Sequence, residues 1–161
     1  MNVCFSQQVL HLDPLMELLP ISRTVDENPQ FMADTSAAPI CQMMEEYYQK
    51  IGFNPPWIGY LSFENGELTG TGGFKGQPIN DAVEIAYGTF ESFRQRGVGA
   101  AICRQLVLLA RKSDPSVKIT ARTLPENNFS TKILEKNGFE FSGTVQDPDD
   151  GEVWEWVFRK Q

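Results

Sequence analysis

The chain has 161 residues, a net charge of −7 and a hydrophobic fraction of 41%. That length and apolar content suit one domain with a real core, without any run long enough to span a bilayer. The acidic balance argues against nucleic-acid binding, which needs clustered Lys and Arg to neutralise phosphates.

In chain order, the alternation in "VCFSQQVLHL" (3–12) suggests a strand. "DPLMELLP" suggests a short helix, with Asp13 as cap, Pro14 at the first helical position and Pro20 as the stop. Ser22 to Pro39 is polar and punctuated by prolines, as expected of a loop that moves. "ICQMMEEYYQKIGF" (40–53) has the character of a helix ended near Gly52. From Trp57 the pattern changes. "PWIGYLSF" and "ELTGTGGF" flank Asn65-Gly66, the strongest short-range signal for a hairpin. Asp81 to Phe90 is a third strand, antiparallel to the second. A helix follows over Gly97 to Lys112, with Arg111 and Lys112 suiting its negative end and Ser113-Asp114-Pro115 stopping it. "VKITART" is a strand, and "PENNFSTKILEKNGF" is a helix capped near Asn127 or Asn128 and ended by Gly138. "FEFSGTV" and "EVWEWVFRK" close the chain as two strands around "QDPDDGE", a solvated turn. The strand–helix–strand step from "VEIAYGTF" to "VKITART" makes those two strands parallel. The fold class expected is therefore α/β, one mixed sheet with flanking helices.

The most informative stretch is Arg94-Gln95-Arg96-Gly97-Val98-Gly99, directly after a strand and at the mouth of a helix. The first helical turn leaves backbone N–H groups without partners, and the helix dipole adds positive charge there. Glycine lets another molecule approach that backbone, and two arginines add full charges. The combination suits a phosphate. A nucleotide P-loop would need Lys followed by Ser or Thr after Gly99. A dinucleotide fingerprint would need glycine at position 102, which is Ile102, and an acid on the next strand, which ends in Arg122. What remains is R-x-x-G-x-G.

That motif resembles the pyrophosphate loop of the GNAT superfamily of acyl-CoA N-acyltransferases, written (Q or R)-x-x-G-x-(G or A). "VEIAYGTFESFRQRGVGAA" and "PENNFSTKILEKNGFEFSGT" are similar to two ordered segments of the subgroup that includes the ribosomal-protein N-terminal acetyltransferases. The likeness covers Val83 to Thr144. It implies a central mixed sheet with a splayed parallel strand pair. It also implies one domain over 1–161, in which 1–56 shapes the acceptor side and 57–161 binds acyl-CoA. The implied reaction is direct transfer of acetyl from acetyl-CoA, a cosubstrate, to a primary amine. That amine is a protein N-terminus or a small amine. No metal is involved, and the protein is a monomer or homodimer. The alternative is a non-catalytic acyl-CoA binder.

By this resemblance the pyrophosphate rests on the N–H groups of Gln95, Arg96, Gly97, Val98, Gly99 and Ala100. The pantetheine arm pairs like an extra strand near Thr89 and contacts Asn127. Gly88 suits a bulge or a close backbone approach. The attacking amine must be neutral; an α-amine, with a pKa near ~8, needs less help than a lysine-like amine near ~10. The oxyanion needs a donor such as a strand N–H, and the leaving thiolate benefits from a proton. Glu84 is the candidate base, through water, with a solvated or ion-paired strand glutamate as the plain alternative. Ser130 is the candidate acid, with helix N-terminal hydrogen bonding as its alternative. Many relatives use a tyrosine further along, where this chain has Phe139 and Phe141.

The remaining candidates are plainer. Cys4, Cys41 and Cys103 are far apart and His11 is the only histidine, so neither a zinc site nor a disulfide framework is expected. Cys103 is expected in the core, as are Trp154 and Trp156. The N-terminus has no basic-then-apolar leader, and the expected compartment is the cytoplasm.

Overall fold

The computed structural model describes residues 16–159. The strand expected over 3–12, the cap at Asp13, and Cys4 and His11 lie outside them. Among the described residues seven strands form one sheet in the order β1-β2-β3-β4-β5-β7-β6. These are β1 (Met16–Pro20), β2 (Gly59–Glu64), β3 (Glu67–Phe74), β4 (Ala82–Thr89), β5 (Lys118–Thr123), β6 (Phe139–Asp147) and β7 (Gly151–Phe158). Three α-helices accompany them: α1 (Ala37–Ile51), α2 (Val98–Ser113) and α3 (Phe129–Lys136). All strand pairs are antiparallel except β4 with β5, so the sheet is mixed as expected.

One element differs in type. The segment expected as a helix ending at Pro20 is strand β1, paired from Met16↔Glu64 to Pro20↔Tyr60. Met, Glu and Leu favour helix, but so short a segment gains little from propensity, and the edge of β2 offers a full ladder. Pro20 fits the end of an edge strand, where its missing N–H costs nothing.

The proline-punctuated stretch that follows is irregular yet tied down. Two 3-10 turns, Val25–Glu27 and Pro29–Phe31, enclose Asn28, which is fully buried. The Asn28 side chain accepts from the Ser22 N–H at 2.8 Å and donates to the Ser22 and Thr24 carbonyls. Phe31 is buried and stacks on Phe63. Helix α1 starts three residues earlier than the sequence pattern suggests, at Ala37, because Asp34 Oδ1 accepts the Ser36 and Ala37 N–H groups. It stops at Gly52, whose φ of 93° side chains disfavour. Tyr48 then locks α1 to the sheet: its hydroxyl donates to the Ile21 carbonyl and accepts from the Gly59 N–H.

The β2–β3 hairpin turns at Asn65 (φ 53°) and Gly66 (φ 79°), the double positive φ that an Asn-Gly pair supplies. Helix α2 packs on β3 and β4, burying Val98, Ile102, Leu106 and Ala110 at helical spacing. Val83 and Ile85 of β4 are buried, and their ladder partners Ile119 and Ala121 lie on the same face of β5. Glu84 and Arg122 therefore lie on the opposite face. Trp156 is buried in the core, and its Nε1–H donates to Thr123 Oγ1 at 3.0 Å.

Candidate active site

The chain leaves β4 through a 3-10 turn, Glu91–Phe93, and bends twice before α2. The bends are at Gln95, with φ 64°, and at Gly97, with φ 80° and ψ 6°. Gly97 is the N-cap of α2 and provides no side-chain capping hydrogen bond. The amides of Val98, Gly99 and Ala100 thus point out of the helix without an intrahelical acceptor, and the first intrahelical bond is Ala101 N–H to the Gly97 carbonyl. A Cβ on Gly97 would meet nothing within 4 Å, so the turn is open. Gly99 serves a different purpose. A Cβ there would press on Ile133 Cδ1 at 3.0 Å and Thr89 Oγ1 at 3.3 Å, so its absence lets β4, α2 and α3 close around the turn. Arg94, Gln95 and Arg96 are exposed; the Arg94 Nε–H donates to the Thr89 carbonyl, and the Arg96 guanidinium lies over the Phe93 ring. Open amides, a helix dipole and two guanidinium groups fit a diphosphate.

Beside this turn the parallel ladder stops. β4 and β5 pair only from Ala82↔Lys118 to Ile85↔Ala121, although β4 runs on to Thr89 and β5 to Thr123. The β5-facing edge of Ala86 to Thr89 has no strand partner among the described residues. Gly88 sits in a regular stretch of the β3–β4 ladder, so it makes no bulge. What it supplies is room: a Cβ there would meet only Thr71 Oγ1, at 3.9 Å.

The other end of the cleft is set by α3. Its cap is Asn128, whose Oδ1 accepts the Thr131 N–H while Thr131 Oγ1 accepts the Asn128 N–H. Asn127 and Ser130 are exposed and take no part in that reciprocal cap. Asn137 ties α3 to the glycine turn, donating to the Ala100 carbonyl.

On the α1 side of the sheet lies a cavity of about 500 Å³. Ile40, Met43, Met44 and Tyr47 of α1 form its wall, and Thr71, Gly73, Ala86 and Gly88 form its floor. The floor includes the part of β4 beyond its pairing with β5.

Glu84 is one residue below the fork. Its Oε2 lies 2.8 Å from Lys75 Nζ and its Oε1 lies 3.5 Å from Arg122 Nε. Arg122 also binds Asp147 Oδ2 through Nη1 at 3.0 Å, and its Nε lies 3.6 Å from Glu155 Oε2. The contacts of Nε are charge contacts only, without hydrogen-bond geometry. The N–H of Asp149, the Arg122 guanidinium and the N–H of Asp150 hold Asp147 down to about 2. Burial works against the charge on Lys75, but its hydrogen bond and charge contact with Glu84 outweigh this and raise its pKa. Burial raises the pKa of Tyr47, with the charge of Lys75 acting against it and that of Glu84 with it. Cys103 is buried, its thiol is pushed up to about 12, and it is no nucleophile.

The structure thus gathers Thr89, Gln95, Arg96, Gly97, Val98, Gly99 and Ala100 around one turn, with Asn127 and Ser130 at the start of α3. Glu84 is on β4, on the face opposite Thr89. The sequence reading missed the cluster of Lys75, Arg122, Asp147 and Glu155 around Glu84. The turn "QDPDDGE" is exposed as expected except at Asp147, which is buried and belongs to that cluster. The Asp147-x-Asp149 spacing, typical of a side chain accepting from the turn that follows, was the available signal.

A family model described as "Acetyltransferase (GNAT) domain" matches residues 8–140. The chain belongs to the GNAT acetyltransferase family. Among curated proteins it is similar to the uncharacterized N-acetyltransferase YjdG of Bacillus subtilis, at 36% identity over 84 residues. The match covers 52% of this chain and 49% of that one, so the chain spans about half the length of the curated relative. Among solved structures it is similar to RimL, a ribosomal L7/L12 alpha-N-protein acetyltransferase, in complex with coenzyme A. There the TM-score is 0.65 and the identity 18%, covering 89% of this chain and 93% of that one. It is also similar to a putative GnaT-family acetyltransferase from Bordetella pertussis, with a TM-score of 0.67 and 16% identity over 91% and 96% of the two chains. At such identities the likeness is one of fold. Among the described residues of this GNAT chain, no helix is long and apolar enough to cross a membrane.

Proposed function

We propose that this GNAT chain moves an acetyl group from acetyl-CoA to a primary amine, a protein N-terminus or a small amine. The observation that carries the reading is the juxtaposition of the open glycine turn with the parted ends of β4 and β5. Acetyl-CoA would supply the activated acetyl group as a thioester. The amides from Gln95 to Ala100 would hold its diphosphate, and the free edge of β4 near Thr89, with Asn127, would hold its pantetheine arm. Backbone N–H groups on that edge are also the available donors for a developing oxyanion.

Glu84 is assigned the amine's proton, relayed through water. Its two oxygens face Lys75 and Arg122, so a water that relays the proton has to share them with those cations. The contribution of Glu84 is therefore modest for an α-amine that is already partly neutral. Ser130 is assigned the proton for the leaving thiolate; its hydroxyl stands outside the helix cap and is exposed.

The ion pairing of both Glu84 oxygens also favours a second reading, an acyl-CoA binder without turnover. Thiol release from acetyl-CoA in the presence of amines separates the two. The enzyme reading expects turnover that falls about 10- to 100-fold in Glu84→Gln, with the deficit shrinking as pH rises through the pKa of the amine. CoA binding without turnover on any amine would leave only the binder.

A further inference from the structure

The cavity beside β4 has a chemical character that narrows the acceptor. Its α1 wall is Ile40, Met43, Met44 and Tyr47, and Ile21 and Phe90 extend the apolar surface. Of its hydroxyls, that of Tyr60 is already committed to the Pro56 carbonyl at 2.7 Å. That of Tyr87 is paired with the buried Cys103, and Thr71 and Tyr47 supply the others. No Asp or Glu stands among the described residues that line it. The nearest carboxylate on this face of β4 is Glu84, two residues before Ala86, and it is paired with Lys75 and Arg122. The floor is narrow side chains and bare backbone: Thr71, Gly73, Ala86 and Gly88. Bulk has been removed where β4 leaves β5 and kept where α1 faces it.

We infer that the acceptor is a primary amine carrying a bulky apolar substituent, which packs against Ile40, Met43 and Met44 while the nitrogen reaches the open end of β4. This rests on the acetyl-transfer reading above. A polycationic amine would find no carboxylate lining this space, and the one within reach, Glu84, is already paired with Lys75 and Arg122, while a small hydroxyl-bearing residue would leave the methionine wall unfilled. A cavity of about 500 Å³ is on the scale of a small-molecule site. Methionine side chains adapt to more than one apolar shape, so the wall selects for bulk and apolarity more than for one outline. Two sources share this chemistry, a free amine and a peptide that begins with a large apolar residue.

The experiment uses the full chain with acetyl-CoA and four acceptors. These are leucinamide, a peptide beginning with Leu, the same peptide beginning with Ser, and spermidine. Thiol release gives kcat/KM, and mass spectrometry locates the acetyl group. Burial of roughly two to three extra carbons predicts about a 30-fold preference for the Leu peptide over the Ser peptide. Leucinamide turning over as well as the Leu peptide identifies a free amine as the source; the peptide alone turning over identifies a polypeptide. Met43 is 60% exposed, so Met43→Glu keeps the fold, and it removes the preference while Met43→Leu retains it.

A second readout does not depend on turnover. In protein with 13C-methyl methionine and bound CoA, leucinamide or the Leu peptide shifts the Met43 and Met44 methyl resonances, and spermidine does not. Acetylation fastest on spermidine or the Ser peptide overturns the inference and leaves acetyl transfer standing. Methyl shifts with the apolar amines but no turnover overturns acetyl transfer and leaves the pocket assignment. Turnover of the apolar amines without any shift of these methyls also overturns the inference.

Discussion

Replacing Gly97 by Glu puts one carboxylate at the mouth of α2, where the structure has open space and no side chain to displace. Two effects on stability oppose each other. A side chain at φ 80° costs about 1–2 kcal/mol, while a negative charge at a helix N-terminus returns about 0.3–1 kcal/mol. The net loss is about 1 kcal/mol, a fall of about 2–4 °C in Tm for a chain of this size. The effect on binding is larger. A carboxylate about 6 Å from one phosphate charge repels it by about 3 kcal/mol at a surface dielectric near 20. Salt and exposure reduce this, and the second phosphate charge partly restores it, leaving about 2–3 kcal/mol, or roughly 30- to 150-fold in Kd for CoA. Titration calorimetry with CoA, alongside a melting curve, reads both. Gly97→Ala is the control, since it carries the same backbone strain without the charge and is expected to bind within about threefold of the parent. If the Glu and Ala variants bind CoA equally, no diphosphate rests on this turn and the cradle assignment is wrong.

Two other perturbations test neighbouring features. Asn128→Ala removes the reciprocal cap of α3 and should cost about 1 kcal/mol of stability, whereas Ser130→Ala should leave the melting curve unchanged and lower kcat about 10- to 100-fold. A stability loss in Ser130→Ala, or an unchanged kcat, would count against the role given to its hydroxyl. Asp147 titrates near 2 in the fold against 3.8 when unperturbed. Between those values the unfolded chain binds the extra proton, so the stability tied to Asp147 is present above about 4 and is lost as pH falls towards 2. Urea midpoints measured across that window should fall less steeply in Asp147→Asn, and an unchanged slope would remove Asp147 from the acid response.

Local chemistry is what the sequence displays best. Asn65-Gly66 names its own turn, Gly52 and Gly138 end their helices at positive φ, and the glycines at 97 and 99 announce an open helix mouth. Pairing between distant segments is hidden. Met16 to Leu19 satisfies a helical pattern, and only the presence of β2 alongside makes it a strand. The charged cluster around Glu84 draws Lys75 from just after β3, Arg122 from β5, and Glu155 and Asp147, the partners of Arg122, from β7 and the end of β6, which are brought together by register and not by spacing. The apolar side chains at 40, 43 and 44 are visible as part of a helix. That they also border a cavity, although Ile40 and Met44 pack on the core as well, depends on small residues in β3 and β4 that leave the space unfilled.

The parallel seam between β4 and β5 is four residue pairs long, and at its upper limit the Glu84–Arg122 ion pair bridges the two strands. It acts as the stop on a zip: hydrogen bonds close the seam from below, and opposite charges pin the point where closing ends. A coulombic stop weakens as ions are added to the solvent, whereas backbone hydrogen bonds hardly respond. But with side chains only 26% and 17% exposed, the Arg122–Glu84 pair is screened far less than a surface pair, so the fork is expected to keep its depth as salt is added.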